Sequence, residues 1–390
     1  MPRRYSASAL RAYSARPPHP ASAKLTSFAK PSQPSPARGE GPFLMHPPSL
    51  TRAKLMTLAI GIPGGALFYL LHLPLPWMLG AMAATTIAAV SGVRVSLMPR
   101  LRLAFIAILG VMLGSAFTPE VVKGIALWLG SFAWLALYVV IATALVWLYY
   151  RRLARYDSVT AYFSAAPGGL NEMILAGGAL GGDERRISMS HATRILIAIF
   201  ALSFGYRWFG GYVPTVIADD GAGAMNWIDW LLMIGCGVLG FAIGRALRIP
   251  AYALVGPMML SAIVHALGIT QSQPPVWLVA AAQVVVGAMV GSRFDGTAPR
   301  LVGKALILAL FATAVLLVLA AVFGEAVEAT LGIPFSAALL AFAPGGLAEM
   351  SLIALSLDVD AAYVSSHHIV RIFMIVLAAP FLFRLLSRDR

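Results

Sequence analysis

Ala166-Pro-Gly-Gly-Leu-Asn-Glu-Met173 recurs 177 residues downstream as Ala343-Pro-Gly-Gly-Leu-Ala-Glu-Met350. Each copy places a helix-breaking Pro and two Gly inside an apolar stretch, followed at once by a carboxylate. The same offset brings Gly110-Val-Met-Leu-Gly114 onto Gly287-Ala-Met-Val-Gly291, Phe117 onto Phe294, and His191 and Arg194 onto His368 and Arg371. Leu73-Pro-Leu-Pro-Trp-Met-Leu-Gly80 matches Ile249-Pro-Ala-Tyr-Ala-Leu-Val-Gly256 at an offset of 176. Four blocks in one register mean two homologous halves, at about 55–209 and 229–386, joined by a Gly-rich acidic connection at 210–228.

The composition says where these halves reside. Of 390 residues, 59% are hydrophobic and 12% charged, with a mean hydropathy of +0.81. Soluble domains are nearer ~45–50% apolar and ~25% charged. The balance excludes an ordinary soluble protein and, for most of the chain, disorder. The single Cys236 excludes a disulfide framework and a cysteine metal cluster. Spanning helices need ~20 mostly apolar residues. Twelve candidate segments follow from Leu55 onward, near 55–71, 76–93, 101–117, 124–150, 160–181, 187–209, 229–246, 251–269, 276–292, 302–323, 335–357 and 367–386. The connections leave no room for a soluble domain.

Residues 1–54 hold nine of the basic residues against the single acid Glu40, so the net charge of +13 is weighted toward this tail. Positive charge on cytoplasmic segments explains it better than nucleic acid does. The Pro-, Ser- and Arg-rich tail reads as unstructured. No apolar run of ~7–15 residues precedes Met45, so it does not read as a secretory signal. It has the composition of an organellar transit peptide, or else is an over-extended start with the true one at Met45 or Met56. The second reading is preferred, because the structured pattern begins near Lys54.

Charge also orients the halves. With the N-terminus inside, the segments at 94–102 and 151–157 are basic and 118–123 is balanced. In the second half the pattern reverses: 270–275 is uncharged, 293–304 is basic and 324–334 is acidic. The positive-inside rule then predicts opposite orientations. Inversion needs an odd number of crossings per half, so one candidate in each does not fully cross. The Pro-Gly-Gly segment is that one. The expected fold is all-α and polytopic: two inverted repeats, each of about five transmembrane helices plus one broken or re-entrant helix, giving 10–12 membrane segments. The alternative is twelve full crossings with parallel halves, which places 293–304 outside against the charge bias.

Inverted repeats with broken helices form the plan of many secondary transporters, whose substrate sites lie near the midplane at the breaks. The candidate substrate or proton site is therefore Pro167, Gly168, Gly169 and Glu172 with Pro344, Gly345, Gly346 and Glu349. A plain kink is the competing reading of each break. A carboxylate at membrane depth costs ~2.5–3.5 kcal/mol or more on insertion scales and faces a cavity or a partner. Glu172 and Glu349 are thus candidate proton carriers, or members of structural ion pairs. His191 and Arg194, like His368 and Arg371, lie three residues apart on one helix face. The arginines are candidates to neutralise the two glutamates or to grip an anionic substrate, and the histidines to titrate near neutral pH. Gly110-x-x-x-Gly114 and its copy read as close helix packing. Asp183-Glu184-Arg185-Arg186 reads as a solvated loop, and Trp77, Trp128, Trp147, Trp208 and Trp230 as interfacial anchors. No metal, cofactor or nucleotide motif occurs in the sequence; a site built from both glutamates and both histidines is the one metal arrangement the repeat would allow.

The duplicated Pro-Gly-Gly-x-x-Glu-Met, Pro-x-x-x-x-x-Gly and His-x-x-Arg blocks resemble the bacterial AbrB membrane-protein family over about 55–386. The soluble DNA-binding regulator of that name is a different protein. The resemblance implies a multi-pass protein of the bacterial inner membrane, and so favours the over-extended start; the charge pattern puts its N-terminus in the cytoplasm. Members carry the labels regulator of gene expression and ammonia monooxygenase, and the residues themselves support neither. The expected function is a secondary transporter or permease of an unknown small molecule. Next comes a membrane-embedded regulator of gene expression acting through a partner, without direct nucleic-acid contact. Last is a monooxygenase-type membrane enzyme, which would want a denser set of histidines. A homodimer is the default assembly.

Overall fold

The computed structural model describes residues 50–209 and 225–387. The tail up to residue 49 and most of the 210–228 connection lie outside the described residues. Those described form helices and connecting turns, with no strand among them. The first half runs α1 (Leu50–Leu70), α2 (Pro76–Val90), α3 (Pro99–Gly114), the short α4 (Pro119–Lys123), α5 (Ile125–Arg152), α6 (Ser158–Ala165), α7 (Leu170–Ala179) and α8 (Glu184–Phe209). The second runs α9 (Trp227–Ala246), α10 (Tyr252–Ala266), α11 (Val276–Gly291), α12 (Pro299–Leu331), α13 (Phe335–Phe342), α14 (Leu347–Ser356) and α15 (Ala361–Ser387).

The duplication is written into the backbone as well as the side chains. α6 and α7 reappear as α13 and α14 with both ends of each helix shifted by 177. Left-handed residues recur too: His72 and Arg248, Leu75 and Ala251, Gly92 and Gly268, Arg155 and Gly332, Gly181 and Asp358 all have positive φ. Leu75 and Ala251 start α2 and α10 at φ 42° and 52°. Non-Gly residues in this region cost of order 1–3 kcal/mol each, so the two halves fold around the same strained corners.

Among the described residues seven helices are long and apolar enough to cross a membrane. This is fewer than the twelve segments expected, for two reasons. First, α2 and α10 have 15 residues each and α3 has 16, or ~23 Å at 1.5 Å per residue, short of a ~30 Å hydrocarbon core. Second, each Pro-Gly-Gly segment is broken into a pair of short helices, as the Pro and Gly positions imply.

The helices gather into two bundles, each drawing on both halves. One holds α1, α2 and α3 with α9, α10 and α11; the other holds α5 to α8 with α12 to α15. Small residues set the closest approaches in the first. Gly110 abuts Leu254 and Pro257, and Gly114 abuts Met258 and Ser261, so α3 and α10 run in the same direction. Gly287 meets Met78 and Gly291 meets Thr85, so α11 and α2 do likewise. The hairpins α1–α2 and α9–α10 are antiparallel, with Gly64 on Gly80 and Gly240 on Gly256. Loop 91–98 stays beside the start of α1, where the Thr57 hydroxyl donates to the Ser96 carbonyl at 2.8 Å. Loop 267–275 stays beside the start of α9, where the Thr270 hydroxyl donates to Asp229 at 3.0 Å. The loop after α2 also meets the loop after α11: Val95 N–H donates to Asp295 Oδ1 at 3.3 Å, and Arg94 pairs with Asp295 at 3.6 Å.

The second bundle is tied across the halves by α5 and α12 and by a buried polar chain. The Tyr363 hydroxyl lies 2.5 Å from Ser131 Oγ, which lies 2.9 Å from His367 Nε2; His367 Nδ1 reaches the Tyr363 carbonyl at 2.8 Å. Trp128, expected at an interface, is instead packed edge-on against Tyr363 in this core.

Candidate functional site

Each break leaves orphan backbone groups on both of its sides, and each half answers in the same way. On the α6 side, Arg194 of α8 donates to the Ser164, Ala165 and Ala166 carbonyls at 3.3, 3.2 and 3.4 Å. His191, one turn earlier, lies 2.7 Å from the Phe163 carbonyl through Nε2 and 2.7 Å from Arg194 through Nδ1. In the second half Arg371 donates to Phe342, Ala343 and Gly345 at 3.4, 2.7 and 2.9 Å. His368 reaches the Leu340 carbonyl at 2.9 Å and Arg371 at 2.8 Å. An arginine only donates and a carbonyl only accepts. This geometry puts the ring proton on Nε2 and makes Nδ1 the acceptor, so neither histidine takes up a second proton while its bond from arginine stands.

This corrects one expectation for the arginines. Among the described residues no ion pair joins Arg194 or Arg371 to Glu172 or Glu349. Each guanidinium caps the carbonyl end of a half-helix, where the helix dipole places negative partial charge.

The glutamates take the opposite pole. α7 and α14 begin at Gly169 and Gly346, which offer no side-chain cap. Glu172 and Glu349, three residues in, fold their carboxylates back over these glycines, close enough that a Cβ there would overlap them. Each carboxyl group thus stands at the positive end of a helix dipole. Glu349 is buried, at 6% exposure, and Glu172 is half-buried. Gly346→Ala leaves an ordinary backbone conformation, φ −78° and ψ 155°. It should preserve the fold, with Tm within a few degrees of wild type, while pushing the Glu349 carboxylate off the helix end. A crystal or cryo-EM structure of the variant reads that displacement directly.

Both breaks face one cavity of about 450 Å³. Pro167, Gly168, Gly169, Glu172 and Arg194 line it from one half, and Pro344, Gly345, Gly346, Glu349 and Arg371 from the other. His191 and His368 lie behind their arginines and do not line it. The remaining walls come from α3, α10 and α11, so the cavity sits at the seam between the two bundles. Three polar residues escaped the motif reading. Arg102 stands in the first turn of α3, Arg293 follows α11, and Asn171 precedes Glu172. Their counterparts at the repeat offset are Val279, Ala116 and Ala348, so the repeat gives no sign of them. Arg293 donates to Asn171 Oδ1 at 3.5 Å. No group of three or more His, Cys, Asp or Glu close enough to share a metal forms among the described residues; the histidines that a metal would need are engaged by arginine and carbonyl.

The two halves are not in equivalent surroundings. α14 and α15 pack on α3, while α7 and α8 have no comparable packing on α11. Leu175 of α7 is 72% exposed and its counterpart Leu352 only 1%.

Fold and site define an all-helical, multi-pass membrane protein of two homologous halves, with a cavity between paired broken helices. The chain belongs to the AbrB family, described as "Transition state regulatory protein AbrB", which matches residues 77–387. It is similar to "Putative regulator AbrB" of Escherichia coli K12, 28% identical over 82% of this chain and 92% of that one. It is also similar to "Uncharacterized protein YhjN" of Bacillus subtilis 168, 25% identical over 85% and 92%.

Proposed function

We propose that this protein is a secondary transporter of the bacterial inner membrane, its halves inverted and its substrate site in the cavity between the breaks. The observation that carries the reading is the convergence of both Pro-Gly-Gly breaks on one cavity at the seam of two sparsely connected bundles. Discontinuous helices at a repeat interface, with rigid-body motion of one bundle against the other, are the architecture of alternating access.

The helix directions support inversion. The first three helices of each half alternate, yet α2 runs with α11 and α3 with α10, so the alternation starts in opposite senses. Contact between the loop after α2 and the loop after α11 agrees, because parallel halves would put those loops at opposite ends. That shared end carries Arg94, Arg100, Arg293, Arg300 and Lys304, and this positive charge supports a cytoplasmic position for it and for the start of α1. The unequal burial of α7 and α14 fits a protein caught in one of two states that exchange these environments.

The name of the E. coli relative supports a second reading, a membrane-embedded regulator acting through a soluble partner. Side-specific labelling separates the two without knowledge of the substrate. Asn171→Cys and Ala348→Cys, each in a Cys236→Ala background, place a thiol on the cavity wall. A membrane-impermeant maleimide should label both sites from the outside and from the inside, in right-side-out and inverted vesicles. Labelling from one face alone would sink the transporter reading and leave the regulator in its place.

A further inference from the structure

The cavity is polarised, and its charges specify a ligand. This step rests on the transporter reading and adds the substrate class. Four arginines line the cavity, Arg102, Arg194, Arg293 and Arg371, against two carboxylates, Glu172 and Glu349. Arg194 and Arg371 are buried at 4% and 3% exposure and committed to carbonyls, yet each retains a buried Nε–H without a partner. Arg102 also has a buried, unpartnered Nε–H. Neither Arg102 nor Arg293 has a carboxylate within ion-pairing distance among the described residues. Unpaired cations in such a setting are costly, and two helix N-termini on the same cavity add positive potential. Leu103, Ile106, Met289 and Val290 supply apolar wall between the charges. Inorganic anions have no use for such a surface, whereas the carbon body of an organic acid does.

We propose that the cavity binds a small organic carboxylate, gripped by Arg293 and Arg102, in competition with Glu349 and Glu172 for the half-helix N-termini. The competition couples the ligand to protons. While ionised, Glu349 occupies the helix end that an incoming carboxylate would take. Protonating it removes the rival charge and frees the backbone N–H groups, so ligand and proton enter together. The titratable and charged groups facing this exchange are the four arginines and the two glutamates named above. An arginine does not give up its proton in a protein, so Glu349, the buried carboxyl group, is the one that exchanges it.

The test is binding of acetate, benzoate and succinate to the purified full chain at constant ionic strength, read as a shift in Tm at pH 6 and pH 8. At least one of these carboxylates should stabilise the protein, more strongly at pH 6. Arg293→Gln and Arg102→Gln should each weaken that binding about tenfold or more, the scale of a lost charge-assisted contact. Glu349→Gln should flatten the pH dependence. Arg293→Lys keeps the charge and serves with size-exclusion profiles to separate a lost site from a lost fold. Stabilisation by choline or tetramethylammonium in place of the carboxylates overturns the proposal. So does carboxylate binding that ignores Arg102 and Arg293, or the absence of any carboxylate effect. Labelling from both membrane faces without carboxylate binding leaves the transporter standing and removes the anion. Arginine-dependent carboxylate binding with labelling from one face does the reverse.

Discussion

Arg371→Leu should abolish recovery of folded protein, or lower its stability by about 3 kcal/mol or more, because each buried acceptor left unsatisfied costs ~1–3 kcal/mol. Arg371 serves three carbonyls and the His368 ring at once, and it is 3% exposed, so water does not replace it. Total stabilities of ~5–15 kcal/mol leave little margin for such a loss. Arg371→Lys should fall between leucine and wild type, since an ammonium lacks the planar fork that spans adjacent acceptors. Arg194→Leu should cost less, because its carbonyl bonds run 3.2–3.4 Å, while two of those of Arg371 are 2.7 and 2.9 Å. Thermal unfolding in detergent, followed by size-exclusion profile, measures the series. A monodisperse Arg371→Leu protein melting within a few degrees of wild type would show that the guanidinium is dispensable to the break.

The second large effect is expected at the crossing of α2 and α11. Without a hydrophobic drive between helices in lipid, association depends on close packing of small residues. A Cβ at Gly287 would overlap the carbonyl of Met78, and one at Gly291 would overlap Thr85. Backbone atoms cannot rotate aside as a side chain can. Gly287→Leu must therefore part the two helices, with a cost at or above the ~1–3 kcal/mol typical of overpacking. Gly110→Leu should behave alike, because it meets the Leu254 carbonyl in the equivalent crossing. Gly235→Leu is the internal control: nothing lies within 4 Å of the position its Cβ would take. The measured quantity is Tm in detergent. Equal behaviour of Gly235→Leu and Gly287→Leu would show that the crossings tolerate separation.

What could be read from the chain in advance was whatever the duplication repeats. The breaks fall where the Pro-Gly-Gly blocks stand, and the two Gly-x-x-x-Gly blocks pack as tight crossings, because both are local consequences of particular residues placed twice. The histidine–arginine pairs were visible as pairs, but their role was not. Three-residue spacing fixes a helix face and says nothing of what that face meets, which turned out to be carbonyls and not carboxylates. Arg102 and Arg293 were hidden for the opposite reason. They break the repeat, and their positions in loop-proximal basic clusters made them read as topology signals. Only the three-dimensional arrangement brings them to the same cavity as the glutamates. Trp128 was misjudged because proximity to a helix end does not reveal whether the ring faces lipid or the core.

The reciprocal crossings bear on ancestry. α3 closes on α10 through Gly110 and Gly114, and α11 closes on α2 through their copies. Each half therefore carries both the notch and the ridge that fits it. A single half has all it needs to be its own partner, and two separate copies could have made these contacts before one gene encoded both. Within one chain the two halves need not stay alike, since an arginine tolerated in one place need not be tolerated in both. Arg102 and Arg293, opposite Val279 and Ala116, are where they differ at the cavity.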